Sequence, residues 1–301
     1  MLQATPLQRA SRRAGLAIER DAARDGISRY PAWAVFWLPL TGLAALLAAG
    51  VVFRPAYDRI LQEDYPVEWS QFSFCLFTSV VALTAVPYFA RRRQYTVAVT
   101  VLLLGLGTFM LAGEEISWGQ RVLGIVTPAE LDTVNAQAET NLHNITVGFD
   151  IESMFRQISL AIGVVGTLVP LLARPKPPIL TGSYWRTLSP PLFTVPLFAM
   201  MIGYRIFRIF EPGEIAFAVR LQEWIEFCQY LGLVITIACI YLNLRATDRP
   251  VGTFGRPARH ALRPAAERDY RTLITIGTAI VALTLAFAVM SEFSGIRAGN
   301  A

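Results

Sequence analysis

The chain has 301 residues, 54% of them hydrophobic and 16% charged, with a mean hydropathy of +0.44 and a formal net charge of +5. A soluble domain carries about 25% charged residues, so the balance excludes an ordinary soluble protein. The positive charge comes from 26 Arg and one Lys, Lys176, and reads as codon usage in a GC-rich genome, not as a nucleic-acid surface.

Apolar runs near 20 residues recur along the whole chain, and each is long enough to cross about 30 Å of hydrocarbon as a helix. They predict an all-α polytopic transmembrane helix bundle of about seven spans, near 31–53, 68–90, 95–116, 157–173, 190–210, 221–243 and 272–293. The fourth is the shortest. Residues 30–295 form one transmembrane domain under this reading, between a basic tail (1–29) and a short end (296–301). No cleavable signal peptide is visible in the polar, Arg-rich tail, so the first span is expected to act as an uncleaved signal anchor. Cys75, Cys228 and Cys239 fall inside apolar runs and read as small buried hydrophobes without disulfide or metal spacing.

Lys and Arg accumulate on the cytoplasmic side of membrane proteins. With the N-terminus inside, 19 of the 27 basic residues lie on that side, and only 6 of the 22 acids do. An odd number of spans then puts the C-terminus outside. A bacterial cytoplasmic (inner) membrane is the expected location. The inner loops look ordinary: Arg174–Arg186 is a Pro-rich connector, and 244–271 is an Arg-rich loop in which His260 is a solvated residue.

Polar residues gather instead at the outer side. The third span ends in Glu114-Glu115, and Ser117, Trp118, Gln120 and Arg121 are expected to continue the same helix. At about 100° per residue, Glu114, Trp118 and Arg121 would then share a face. An interfacial belt of Trp with a Glu–Arg pair is the plain alternative. Next, Thr127-Pro128-Ala129-Glu130 matches a capping box. It predicts one extracytoplasmic amphipathic helix over about 128–144, with Asn135, Glu139 and His143 along one side. Glu139 and His143 at i, i+4 could share a divalent metal, but two ligands do not make a site, and no metal is assigned.

The fifth span ends with Arg205 and Arg208, which either reach to lipid phosphates or form a fixed cation cluster. The sixth begins with Gln222, Glu223 and Glu226, followed by Gln229 and Tyr230. A polar stripe on a membrane helix faces protein or water-filled space. The expected site therefore combines Glu114, Glu115, His143 and Glu226 as acid/base groups. Trp118, Gln120, Arg121, Asn135, Glu139, Asn141, Asn144, Arg205, Arg208 and Glu223 would bind substrate.

The words Glu114-Glu115-Ile-Ser117-Trp118-Gly119-Gln120-Arg121 and Asn135-x-Gln137-x-Glu139-x-Asn141-Leu142-His143-Asn144 resemble a signature in a group of uncharacterised bacterial polytopic membrane proteins. The paired glutamates Glu223 and Glu226 also look like that group. The resemblance covers roughly a third of the chain and implies an all-helical membrane protein, with no reaction, substrate or cofactor attached. The chain does not resemble the seven-span ceramidase and adiponectin-receptor hydrolases, whose zinc is held by several histidines. Only His143 and His260 are present here.

Three functions follow as expectations. The first is a transferase or hydrolase acting on a lipid or lipid-linked substrate at the outer face. The others are a proton-coupled transporter, against which the absence of evident internal repeats counts, and a non-catalytic subunit or assembly factor that meets other membrane subunits. No cofactor class is indicated, and no nucleic-acid partner is expected.

Overall fold

Apolar runs of this length must pair every backbone amide and carbonyl internally, because hydrocarbon offers no partner, and a helix does so within one segment. The computed structural model describes residues 5–62, 65–129, 140–141, 151–175, 179–180, 182–210, 216–247 and 259–294. Among them all regular structure is helical, and seven helices are long and apolar enough to cross a membrane. The all-α, seven-span bundle expected from the sequence is the fold.

The elements run α1 (Pro6–Arg24), α2 (Arg29–Val52), the short α3 (Arg54–Ile60), α4 (Pro66–Arg91) and α5 (Tyr95–Glu115). After these come the single turn α6 (Gln120–Leu123), α7 (Ile151–Ala173), the short α8 (Ser183–Leu188), α9 (Val195–Phe210) behind a 3-10 turn at Leu192–Thr194, α10 (Ala216–Thr247) and α11 (Arg259–Ser294). The spans are α2, α4, α5, α7, α9, α10 and α11. Two boundaries differ from expectation. The helix of the fourth span already includes Ile151, six residues before the expected start, and an exposed Glu152–Arg156 pair at 2.6 Å spans one turn of this polar extension. The 244–271 loop is also shorter, since α10 continues to Thr247 and α11 starts at Arg259. Ala, Leu, Arg and Glu, all good helix formers, dominate that early part of α11.

α4 and α10 are the centre of the bundle, and α4 packs most extensively against α5 and α10. Val81, Ala85 and Phe89 of α4, Val97 and Val101 of α5, and Ile237 and Tyr241 of α10 form the largest buried cluster. α2 and α11 lie at the periphery, which suits their apolar surfaces to lipid. The α4–α5 hairpin turns through Arg93, whose φ of 57° is left-handed. That conformation costs a non-glycine residue about 1–2 kcal/mol. Arg93→Gly should therefore raise the thermal unfolding temperature in detergent, with a net gain of about 0.5–1 kcal/mol after the extra freedom of the unfolded chain. An unchanged or lower midpoint would show that the Arg93 side chain contributes more than its backbone strain costs.

A second packing node joins α7, α9 and α10. Phe198 of α9 is 1% exposed and lies between Gly166 of α7 and Gly232 of α10. A methyl group on either glycine would meet the ring at 2.3 Å and 2.8 Å respectively.

α1 is more than a polar tail. Thr5 and Gln8 form a reciprocal capping box with Pro6 at the first helical position, which fixes the helix start. Its Ile18 and Ala22 are buried with Ala32, Leu192 and Phe193. Beyond them Arg174, just after α7, donates to Asp21 at 2.9 and 3.0 Å, to Asp25 at 2.7 Å, and to the Ser189 carbonyl at 2.7 Å. The side chains of Arg174, Asp21 and Asp25 are no more than 5% exposed. Asp21 also accepts from the Leu192 amide at 2.7 Å, and Asp25 from Asn243 at 3.0 Å. Burial alone would pull the Arg174 guanidinium down, but Asp25 and Asp21 hold it above its ordinary value. The Arg174–Arg186 connector is thus not an ordinary loop, because its first residue is the buried partner of two acids.

At this same end Arg245 bonds Asp269 at 3.1 Å and the Tyr88 hydroxyl at 3.1 Å, while Arg92 donates to the Leu244 carbonyl at 3.1 Å. The tail, the α4–α5 turn, the α7–α9 connection and the facing ends of α10 and α11 are therefore together. The end of α5, the start of α4 and the start of α10 lie at the opposite end.

Candidate functional site

The site is at that opposite end, and its first part is the end of α5. Consecutive residues on a helix point about 100° apart, so Glu114 and Glu115 face different surroundings. Glu114 is 4% exposed and accepts the Trp118 indole N–H at 2.6 Å. Trp118 reaches it because the chain folds back. The helix stops at Glu115, and Ser117 (φ 45°), Trp118 (φ 53°) and Gly119 (φ 83°) are all left-handed. The expectation that Ser117, Trp118, Gln120 and Arg121 continue the same helix is therefore corrected. Three left-handed residues in a row cannot propagate a right-handed helix, and two of them lack glycine's freedom.

Side chains hold this elbow closed. The Trp118 ring lies over Gly113, where an added methyl would be 2.9 Å from the ring and would have to displace it. Gln120, buried, donates to Thr127 Oγ1 at 2.5 Å and accepts from the Thr140 amide at 2.8 Å. Thr140 Oγ1 donates in turn to the Ser117 carbonyl at 2.5 Å. Strained non-glycine residues cost about 1–3 kcal/mol each and persist where their surroundings over-determine them. Here the surroundings are Glu114, Gln120, Thr127 and Thr140. Asn141, next in the chain, is 2% exposed. Asn135, Glu139, His143 and Asn144, with most of the helix expected over 128–144, lie outside the described residues, as does the side chain of Arg121.

Glu115 turns the other way, into the bundle. The Tyr230 hydroxyl of α10 hydrogen-bonds it, and Glu226, Glu223 and Glu68 lie within its electrostatic reach. Three spans thus deliver four carboxylates to one place: α4 brings Glu68, α5 brings Glu115, and α10 brings Glu223 and Glu226. Gln71, one turn along α4 from Glu68, donates to the Glu223 carbonyl at 2.8 Å and to its carboxylate at 3.2 Å. Gln222 donates to Glu226 at 2.8 Å, and the Tyr204 hydroxyl lies 3.5 Å from the Gln222 carbonyl oxygen. From α9, Arg205 is within electrostatic reach of Glu226, with Arg208 and Arg156 nearby. Its Nε is buried with no hydrogen-bond partner among the described residues.

Of the residues expected from the sequence, the structure brings together Glu115, Glu223, Glu226 and Arg205, and it places Glu114, Trp118 and Gln120 in the supporting elbow. Glu68, Gln71 and Tyr204 were not expected. Glu68 and Gln71 are three residues apart at the start of a span, the same pattern as Glu223 and Glu226, so a polar i, i+3 pair was the available signal.

Over this end lies α3. Its Tyr57 is fully buried among Leu46, Leu61 and Val67, and Arg54 pairs with Asp58 at 2.9 Å beside it. Burial pushes the Tyr57 phenol up to about 12, against the opposing pull of Arg54. It is a neutral hydroxyl at any physiological pH. Arg220 of α10 reaches Asp58 at 3.5 Å, joining the short helix to the span that carries Glu223 and Glu226.

Chemically, the cluster is suited to moving a proton: several carboxylates, the Tyr230 phenol and the Arg205 guanidinium, from four helices, lie within electrostatic reach of one another. A metal-type set of three or more His, Cys, Asp or Glu side chains does not occur among the described residues. All three cysteines are buried free thiols, as the sequence indicated. No protein-family model, curated protein or solved structure matches the chain.

Proposed function

We propose that the chain is a membrane-embedded enzyme, a transferase or hydrolase acting on a lipid or lipid-linked substrate at the outer face of a bacterial cytoplasmic membrane. The observation that carries this reading is the convergence of Glu68, Glu115, Glu223 and Glu226 from three spans beside Arg205. Four acids at the ends of membrane spans are costly, and such groups mark substrate or proton pathways. Glu115 and Glu226 serve as the acid/base pair, one taking a proton from the attacking hydroxyl or water and the other giving one to the leaving group. Gln71, Gln222 and Tyr230 orient the carboxylates. Arg205 and Arg208 hold the anionic part of the substrate. The outer location rests on the distribution of basic residues, most of which gather at the end opposite the site.

Glu115→Gln and Glu226→Gln keep size and hydrogen-bonding capacity while removing the carboxylate. Each should cut turnover of a lipid-linked substrate by about 10²–10⁴-fold, the usual contribution of a general acid or base, with accumulation and thermal unfolding near those of the parent. Full turnover in both variants would remove the acid/base assignment.

A proton-coupled carrier is the second reading. It is favoured by a series of buried polar atoms without partners among the described residues: Gln71 Oε1, Thr78 Oγ1, Thr167 Oγ1 and Gln229 Oε1. They belong to α4, α7 and α10, and α4 and α10 also carry carboxylates of the cluster. Proton flux into liposomes that disappears in Glu226→Gln, without any lipid turnover in the parent, would decide for the carrier.

A further inference from the structure

The end of the bundle away from the carboxylates holds a cavity of about 480 Å3. Arg24 at the end of α1, Arg92 at the α4–α5 turn, Arg174 after α7 and Arg186 in α8 all line it, together with Ser183 and Asn243. Four guanidinium groups from four separate segments thus share one concave wall.

Asp21 and Asp25 are both bonded to Arg174, so this buried floor carries one net negative charge, and the positive character of the wall comes from the other arginines. Arg24 and Arg186 are exposed, and among the described residues neither pairs with a carboxylate. Arg186 donates only to the Gly182 carbonyl, at 3.3 Å. Arg92 is half-buried and donates to the Leu244 carbonyl, so it adds positive charge to the wall. Like charges gathered in a concave site repel each other and concentrate a positive potential that attracts anions. The excess of basic residues at one membrane side accounts for arginines in these loops, but it gives no reason for them to face a common cavity. Guanidinium groups fit phosphate oxygens with paired, charge-assisted hydrogen bonds.

We infer that this cavity is a phosphate-binding site, in which Arg24 and Arg186 hold the phosphate and Ser183 supplies a neutral polar partner. The phosphate comes either from an anionic lipid headgroup or from a soluble phosphate compound, since the cavity opens where the spans end. The site is separate from the carboxylate cluster and does not depend on the function proposed for it.

The full-length protein is reconstituted in phosphatidylcholine nanodiscs and titrated with inorganic pyrophosphate by calorimetry. In a second arm, nanodiscs doped with phosphatidic acid are analysed by native mass spectrometry for retained anionic lipid. The variant is Arg24→Gln/Arg186→Gln, both exposed, so folding is not at stake. Arg12→Gln/Arg91→Gln, exposed arginines outside the cavity wall, is the control. Binding in either arm that weakens roughly tenfold or more in the cavity variant, about 1.4 kcal/mol, and persists in the control establishes the site. The responding arm identifies the source of the phosphate. No binding in either arm, or equal weakening in variant and control, overturns it.

Discussion

Arg174→Met should be the most damaging single substitution outside the carboxylate site, lowering stability by about 3–5 kcal/mol, the range for breaking a buried ion pair. Asp21 and Asp25 would be left as two carboxylates buried within reach of one another, deprived of the guanidinium that donates to both at 2.7–3.0 Å. The loss should appear in thermal unfolding in detergent and as poor accumulation in membranes. Much of the damage is the cost of stranded charge and not of a lost attraction, which gives a sharper second expectation. Asp21→Asn/Asp25→Asn/Arg174→Met should recover most of the stability, because neutral groups replace all three charges together. The Asp21 carboxylate also accepts the Leu192 amide, and an asparagine oxygen can keep that bond. An Arg174→Met protein as stable as the parent would show that the triad is not a structural tie.

Gly166→Ala should be nearly as severe. Overpacking a filled core typically costs about 1–3 kcal/mol and occasionally more, and this position belongs at the upper end of that range. The new methyl would meet the Phe198 ring at 2.3 Å, and the ring cannot retreat because the backbone of Gly232 closes its other side. Membrane helices approach closely through small residues of this kind. Removing the ring tests the mechanism: Phe198→Leu should destabilise the parent, yet cost much less or become favourable in the Gly166→Ala background. Independent, additive losses in the double variant would mean that the two positions do not compete for the same space.

The spans were legible in the sequence because a membrane helix announces itself through one local quantity, sustained apolarity. Glu115, Glu223 and Glu226 were legible for a related reason, since a charged residue at the margin of an apolar run is conspicuous. Glu68 and Gln71 carried the same mark at the start of the second span, but nothing in the sequence tied them to the glutamates of the other spans. The elbow at Ser117–Gly119 was not legible. Only Gly119 signals a left-handed residue, and the stop depends on Trp118 finding Glu114 and Gly113 after the chain has turned. Pairings between distant segments were hidden for a deeper reason. Asp21 and Arg174 are 153 residues apart, and no periodicity links them, so each looked like an ordinary charge in an ordinary loop.

The buried triad also has a consequence for biosynthesis. Asp21 and Asp25 are translated about 150 residues before Arg174, and the Leu192 amide follows later still. At roughly 5–20 residues per second, many seconds separate α1 from its partner, and four spans are made in that interval. The leading helix becomes fastened only when the end of the fourth span arrives on the same side. A chain that inserted that span the wrong way round would leave Arg174 across the membrane from its acids. The buried triad can therefore close only when all four spans between its members have been placed with their ends on the correct sides.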